Sequence, residues 1–303
     1  MTLRLKTTDC EILECIAEHR ILTVSQVAAV FYKSRQVIRR RLRDLEKGGF
    51  VEVVGSELGR GRGRPESSLG LTERGIDVLK EKGLLGQDVP YDKVLTDSLF
   101  AASHQILLNW FRIHLKEVER ILRRLNIRVL AQGSPFLPKA QDGRMFITDR
   151  SPVPGPGMKG VTFMPDAVFA VADSVGGKTC LFFLEVDRGT EIMASPKRDM
   201  KDIRQKIVNY QWYFQSGGYK RYEAVFGASL RGFRLLFLSS TYGGLVALCK
   251  LTREMEPSNF VWLTECGRLF ADGASAKIWA KGGDLRAQQQ SILGNLCCRA
   301  SLS

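Results

Sequence analysis

Histidine is scarce in this chain of 303 residues: there are three, His19, His104 and His114. They are too dispersed for a catalytic triad or a metal triplet, and the last two are expected to pack or cap a helix. Cysteine occurs seven times but never as Cys-x-x-Cys, and an odd number of thiols indicates neither a disulfide framework nor a zinc site. No segment approaches the roughly 20 apolar residues of a membrane span. The polar start Met1-Thr2-Leu3-Arg4-Leu5-Lys6 is unlike a signal peptide, so a cytoplasmic protein with no membrane partner is expected. Internal repeats are absent, and Gly176-Gly177-Lys178-Thr179 lacks the first glycine of a phosphate-binding loop, which excludes nucleotide binding there.

Positive charge is what the chain has in excess. Lys and Arg number 45 against 32 acids, a formal net charge of +13, which favours a polyanionic partner and salt-sensitive association. The most telling part is the loop Gly59-Arg60-Gly61-Arg62-Gly63-Arg64-Pro65 between two short apolar runs. Glycine lets backbone approach a sugar-phosphate wall, and guanidinium groups suit the narrow minor groove of A·T-rich DNA. The residues before it parse as a helix-turn-helix. Thr8 is expected to cap a first helix, Thr23-Val24-Ser25-Gln26 is a capping box for a second, and Ser34 caps a third from Arg35 to Lys47. In that third helix Ile38, Leu42 and Leu45 face inward, while Arg35, Gln36, Arg39, Arg40 and Arg43 face outward. Two wing strands follow, and a fourth helix starts at Thr72. Three short helices, a hairpin and basic residues on the third helix and hairpin tip form the arrangement of a winged DNA-binding domain. The expected DNA-binding residues are Ser34, Arg35, Gln36, Arg39, Arg40 and Arg43 in the major groove, with Arg60, Arg62 and Arg64 in A·T-rich flanks.

A break at Gly83 to Asp92 sets the expected domains: 1–90, a second domain 91–282, and a tail 283–303. A long amphipathic helix opens the second domain, with Arg112, Lys116, Arg120, Arg123 and Arg124 outward. Strands are expected at 127–130, 167–172, 181–186, 224–226, 235–238 and 260–263, with a helix near 197–214 and a long loop over 142–160. The result is α/β overall, with a mixed sheet in the second domain. There a hairpin sets Asp166, at the start of one strand, against Glu185, near the end of its neighbour. Such oxygen pairs bind hard cations, here Mg²⁺ or Mn²⁺.

This hairpin resembles that of the PD-(D/E)XK nuclease superfamily. The resemblance implies a metal site at Asp166 and Glu185 and a catalytic lysine two residues beyond the glutamate. Asp187 stands at that position, so Lys206 on the following helix becomes the candidate cation, with Glu117 or Glu119 available to complete the acidic cluster. A second resemblance spans nearly the whole chain. His104-Gln105-Ile106-Leu107, Met164-Pro165-Asp166-Ala167, Phe182 through Glu191, Lys206-Ile207-Val208-Asn209-Tyr210 and Ile278-Trp279 look like the replication-relaxation family of plasmids, conjugative elements and phages. It implies a double-stranded DNA-binding regulator or replication accessory factor of a mobile element, needing no cofactor to bind DNA. The alternatives are a Mg-dependent DNA endonuclease, with Asp166, Glu185 and Lys206 catalytic, and a second domain that serves as an interaction platform, such as a homodimer interface.

Overall fold

The computed structural model describes residues 4–57, 66–95, 102–140, 143–152, 160–189, 193 and 202–296. The chain divides into two compact units, Met1–Ile113 with Gly133–Pro138, and His114–Gln132 with Lys139–Ser303.

In the first unit, α1 (Thr7–His19) starts one residue before the expected Thr8 cap. The reason is Asp9, whose carboxylate accepts the Lys6 amide at 2.5 Å and so moves the cap position back to Lys6. After β1 (Ile21–Thr23) the capping box closes as its residue types require. Thr23 Oγ1 accepts the Gln26 amide at 3.2 Å, and Gln26 Oε1 accepts the Thr23 amide at 3.0 Å, opening α2 (Val24–Phe31). Ser34 Oγ accepts the Val37 amide at 3.3 Å and starts α3 (Arg35–Lys47). That helix ends at Gly48, and Gly49 takes φ +72°, a conformation that suits glycine.

The hairpin of β2 (Val51–Glu57) and β3 (Glu66–Leu71) gains a third strand that its own sequence does not announce. β1 pairs with β3, Ile21 opposite Gly70, giving the order β1-β3-β2. Thr72 then caps α4 (Glu73–Glu81). Gly75 is required there, since a Cβ would lie 2.2 Å from the Phe50 carbonyl oxygen. Ile12, Leu13, Ile16, Val27, Ile38, Leu42, Leu45, Leu69, Leu71, Ile76 and Leu79 bury their side chains in one core.

This unit runs beyond the break at Gly83 to Asp92 and includes the first part of α5 (Ala102–Ile121). The polar groups of that helix explain why. Asn109 Nδ2 donates to the carbonyls of His19 (3.1 Å) and Ile21 (2.7 Å), and Gln26 Nε2 donates to the Ile106 carbonyl at 2.8 Å. Arg112, expected on the solvent face, is buried and paired with Glu18.

The second unit is built on a six-stranded mixed sheet. Its elements are β4 (Leu125–Ala131), β5 (Asp149–Ser151), β6 (Val161–Phe163), β7 (Ala167–Asp173), β8 (Lys178–Asp187), α6 (Ile203–Gln215), α7 (Tyr222–Phe226), β9 (Phe233–Ser239), α8 (Tyr242–Arg253), β10 (Val261–Glu265), α9 (Cys266–Asp272) and β11 (Ala280–Lys281). The order is β11-β10-β9-β8-β7-β4, parallel across β8, β9 and β10 and antiparallel elsewhere. The parallel steps need crossovers, which α6 with α7, and then α8, supply.

Three expectations change here. Residues 224–226 are the end of helix α7, closed by Gly227 at φ +64°, and not a strand. Within 142–160 lies β5, which pairs with β6 just beyond that range, Asp149 opposite Phe163. Residues 283–296 are packed rather than a tail: Trp279 bridges to Gln290, Ser291 Oγ donates to the Ser275 carbonyl at 2.6 Å, and Ile292 is buried. Among the described residues no helix is long and apolar enough to cross a membrane.

Candidate functional site

Two places in the chain gather chemistry-bearing side chains, one in each unit. In the first unit, α3 turns Ile38, Leu42 and Leu45 into the core and leaves Arg35, Gln36, Arg39, Arg40 and Arg43 exposed. Its first turn contains no acid. A helix N-terminus carries a partial positive charge, so arginines there are locally unfavourable and raise the potential over that end. Arg41 differs from its neighbours. Its guanidinium pairs in two places with the buried carboxylate of Asp9, which fixes α3 against α1. Ser34 is exposed and serves as the helix cap. Sequence reasoning missed Tyr32 and Val37, which are 56% and 54% exposed. Their signal was an apolar residue out of phase with the buried stripe. Arg60, Arg62 and Arg64 lie outside the described residues.

In the second unit, the β7–β8 hairpin places Asp166 and Glu185 side by side. Ala167 pairs with Leu184, the Asp166 amide donates to the Leu184 carbonyl at 3.1 Å, and Asp166 Oδ2 accepts the Val186 amide at 2.7 Å. Alternation along β8 puts Glu185 on the face covered by α6. From α6, Lys206 Nζ donates to Glu185 Oε2 at 3.0 Å and Tyr210 OH donates to Oε1 at 2.6 Å. Lysine and tyrosine four residues apart share one helical face, so both reach the same carboxylate. Burial pushes the Glu185 carboxyl up to about 7, against the attraction of Lys206, and the charge of Asp166 pushes the same way as burial. Burial beside this carboxylate holds the Tyr210 hydroxyl well above its ordinary value.

Asp166, Glu185 and Lys206 therefore come together, whereas the other acids expected nearby do not join them. Glu117 binds Arg120 at 2.5 and 2.9 Å, and Glu119 Oε1 accepts the Ile127 amide at 2.8 Å. Asp187 is buried, with its carboxylate taking the Gly189 amide at 2.8 Å and the Ser239 hydroxyl at 3.4 Å. Among the described residues no three Asp, Glu, His or Cys side chains form a metal-ligand group. Each Glu185 oxygen already takes a proton donor and one Asp166 oxygen takes an amide, which leaves fewer carboxylate lone pairs for a divalent cation. Two aromatics of α6 are core: Tyr210 and Tyr213 are buried, with Phe163, Phe183 and Phe233 around them at centroid distances of 4.9 to 6.2 Å, while Trp212 and Phe214 are half-buried. A further buried carboxylate, Asp149, is held by Arg221 (2.5 Å) and Tyr222 (2.7 Å), which pins β5. Burial still raises its carboxyl above the ordinary range.

A profile described as replication-relaxation matches residues 13–228, well over half of the chain. The chain belongs to the replication-relaxation family. The matched residues take in α3 and the Asp166, Glu185 and Lys206 cluster, so both places lie within what defines this replication-relaxation protein. Ile278-Trp279 falls beyond the match; Trp279 is fully buried, its indole nitrogen donating to the Ala274 carbonyl at 3.0 Å. No curated protein matches the chain.

Proposed function

We propose that this replication-relaxation protein is a sequence-specific double-stranded DNA-binding protein of the cytoplasm, acting as a transcription regulator or replication accessory factor of a plasmid, phage or other mobile element. The observation that carries the reading is α3: a helix with five exposed polar and basic side chains on one side, an apolar stripe on the other, and no acid in its first turn. The three helices and three-stranded sheet around it fit a winged helix, with α3 as the recognition helix and the Arg60–Arg64 tip as the wing. Arg35, Gln36, Arg39, Arg40 and Arg43 meet base edges or phosphates. Arg60, Arg62 and Arg64 enter A·T-rich flanks. DNA binding needs no cofactor, and a homodimer would match two half-sites. The test is affinity for duplexes from a random pool as salt is raised. The logarithm of affinity should fall by about 0.9 per phosphate contact for each logarithmic unit of salt. A flat salt response, or no duplex binding at low salt, sinks the reading.

The nuclease-like second unit has one observation in its favour as an endonuclease: Lys206 reaches Glu185 beside Asp166. Against it, that contact spends the lysine on neutralising the glutamate, and Asp187 adds negative charge where a phosphate needs a cation. The proposed outcome is no Mg²⁺- or Mn²⁺-dependent nicking of plasmid carrying the protein's binding site. Metal-dependent cleavage that vanishes in Asp166→Ala, Glu185→Ala and Lys206→Ala would establish the endonuclease instead.

A further inference from the structure

The outward surface of α3 is uneven along its length. From Arg35 to Arg43 it carries four exposed arginines, Arg35, Arg39, Arg40 and Arg43, and no acid; its acids, Asp44 and Glu46, lie in the last turns. A polyanion is therefore drawn to the N-terminal half. In that half one large apolar side chain faces solvent, Val37, which at 100° per residue lies next to Arg40 along the helix surface. The Val37 amide is held by Ser34 Oγ, and a β-branched side chain in a helix has one strongly preferred rotamer, so its two methyl groups are held in place. Valine is also a weaker helix former than alanine and buries nothing in the core here.

Single exposed apolar residues are ordinary on protein surfaces, so exposure alone means little. What decides the matter is the company. Arginine is itself common at protein–protein contacts, but charge as a whole is depleted at their centre, and Val37 is set among four exposed arginines with no acid between them to offset the repulsion. The major groove offers both kinds of partner at once: acceptor edges of guanine and adenine for Arg and Gln, and a methyl group on thymine alone.

We infer that Val37 is a specificity-determining residue that reads the 5-methyl group of a thymine, beside a base contacted by Gln36 or Arg40. This rests on the DNA-binding reading above. The thymine methyl is apolar and projects into the groove, so packing it against the valine methyls removes both from water. Cytosine at the same position presents an amino donor that valine cannot satisfy.

The experiment uses the full chain and the duplex it selects from a random pool. Each thymine is replaced in turn by deoxyuridine, which removes the methyl and keeps every hydrogen-bonding group. At one position the parent protein should lose about fourfold in affinity, equivalent to about 0.8 kcal/mol for a methyl-sized group. Val37→Ala should lose a similar factor on the thymine duplex and be indifferent to deoxyuridine at that position. Its unfolding temperature should be unchanged or slightly higher, since alanine favours the helix, so a weaker affinity is not a folding defect. Deoxyuridine tolerated at every position, or a penalty that persists unchanged in Val37→Ala, overturns the inference while leaving DNA binding intact. No binding to any duplex at low salt overturns both.

Discussion

The arginines of α3 and the lysine of α6 show two fates of positive charge in one chain. On α3, Arg35, Arg39, Arg40 and Arg43 stay in water, with only Arg41 drawn inward to Asp9. On α6, Lys206 is turned to a buried glutamate that also takes a tyrosine hydroxyl. The first arrangement keeps a positive potential available to a partner at the cost of local repulsion; the second cancels its charge within the fold. A net charge of +13 therefore says less about function than where the cations end. Only the exposed set is placed for an external anion.

The largest expected effect tests the exposed set. Arg39→Ala with Arg40→Ala should remove sequence preference, at about 1–3 kcal/mol for each arginine that reads a base bidentately. Competition binding with specific and random duplexes measures it. Equal weakening on both would show that these arginines touch phosphate only.

The next effect tests the cancelled charge. Lys206→Met leaves Glu185 buried without its cation and should cost about 2–4 kcal/mol of folding stability at pH 8. The sign of the pH dependence follows from the raised Glu185 carboxyl, at about 7 in the parent. Stability tied to its proton is fully present below the unfolded value near 4.3 and is lost as pH rises through the folded value. Removing the lysine moves that folded value further up, so parent and variant should differ little at pH 5 and diverge toward pH 8. Denaturant unfolding across that range checks it, and adding Glu185→Gln should flatten the variant's profile. DNA affinity at pH 6 should be unchanged; a large loss there would mean that Lys206 belongs with the exposed set.

The smallest effect concerns the segment 59–65 between β2 and β3. Arg62→Ala with Arg64→Ala should weaken the preference for A·T-rich flanks a few-fold and leave the central sequence alone. Identical flanks returned by both proteins in a binding selection would remove Arg62 and Arg64 from flank recognition.

What could be read from the sequence divides along physical lines. Caps are local: Thr23 with Gln26, Ser34 and Thr72 each need only neighbours within three residues, and each is found where its residue type puts it. Alternation in β7 and β8, and the four-residue spacing of Lys206 and Tyr210, are local too, so the convergence on Glu185 could be expected. One local reading fails, at Thr8, where Asp9 takes the Lys6 amide and moves the cap back; most of the others are non-local. β1 is three residues long and is a strand because β3 lies opposite, Ile21 to Gly70, Leu22 to Leu69 and Thr23 to Ser68. Arg112 has the helical phase of a solvent-facing residue, but its partner Glu18 is 94 residues away. Residues 224–226 are too few to show a period, and the left-handed Gly227 that ends their helix reads equally well as a turn after a strand.

The two hydrogen bonds from Asn109 to the carbonyls of His19 and Ile21 bear on how this protein should be cut. A fragment stopped at residue 90, where composition suggests a linker, would leave those two carbonyls and the Gln26 amide without their native partners, next to the strand that completes the sheet. A truncation that keeps the chain through Ile113 retains the amide pins, and that is where an isolated α3-bearing fragment should end.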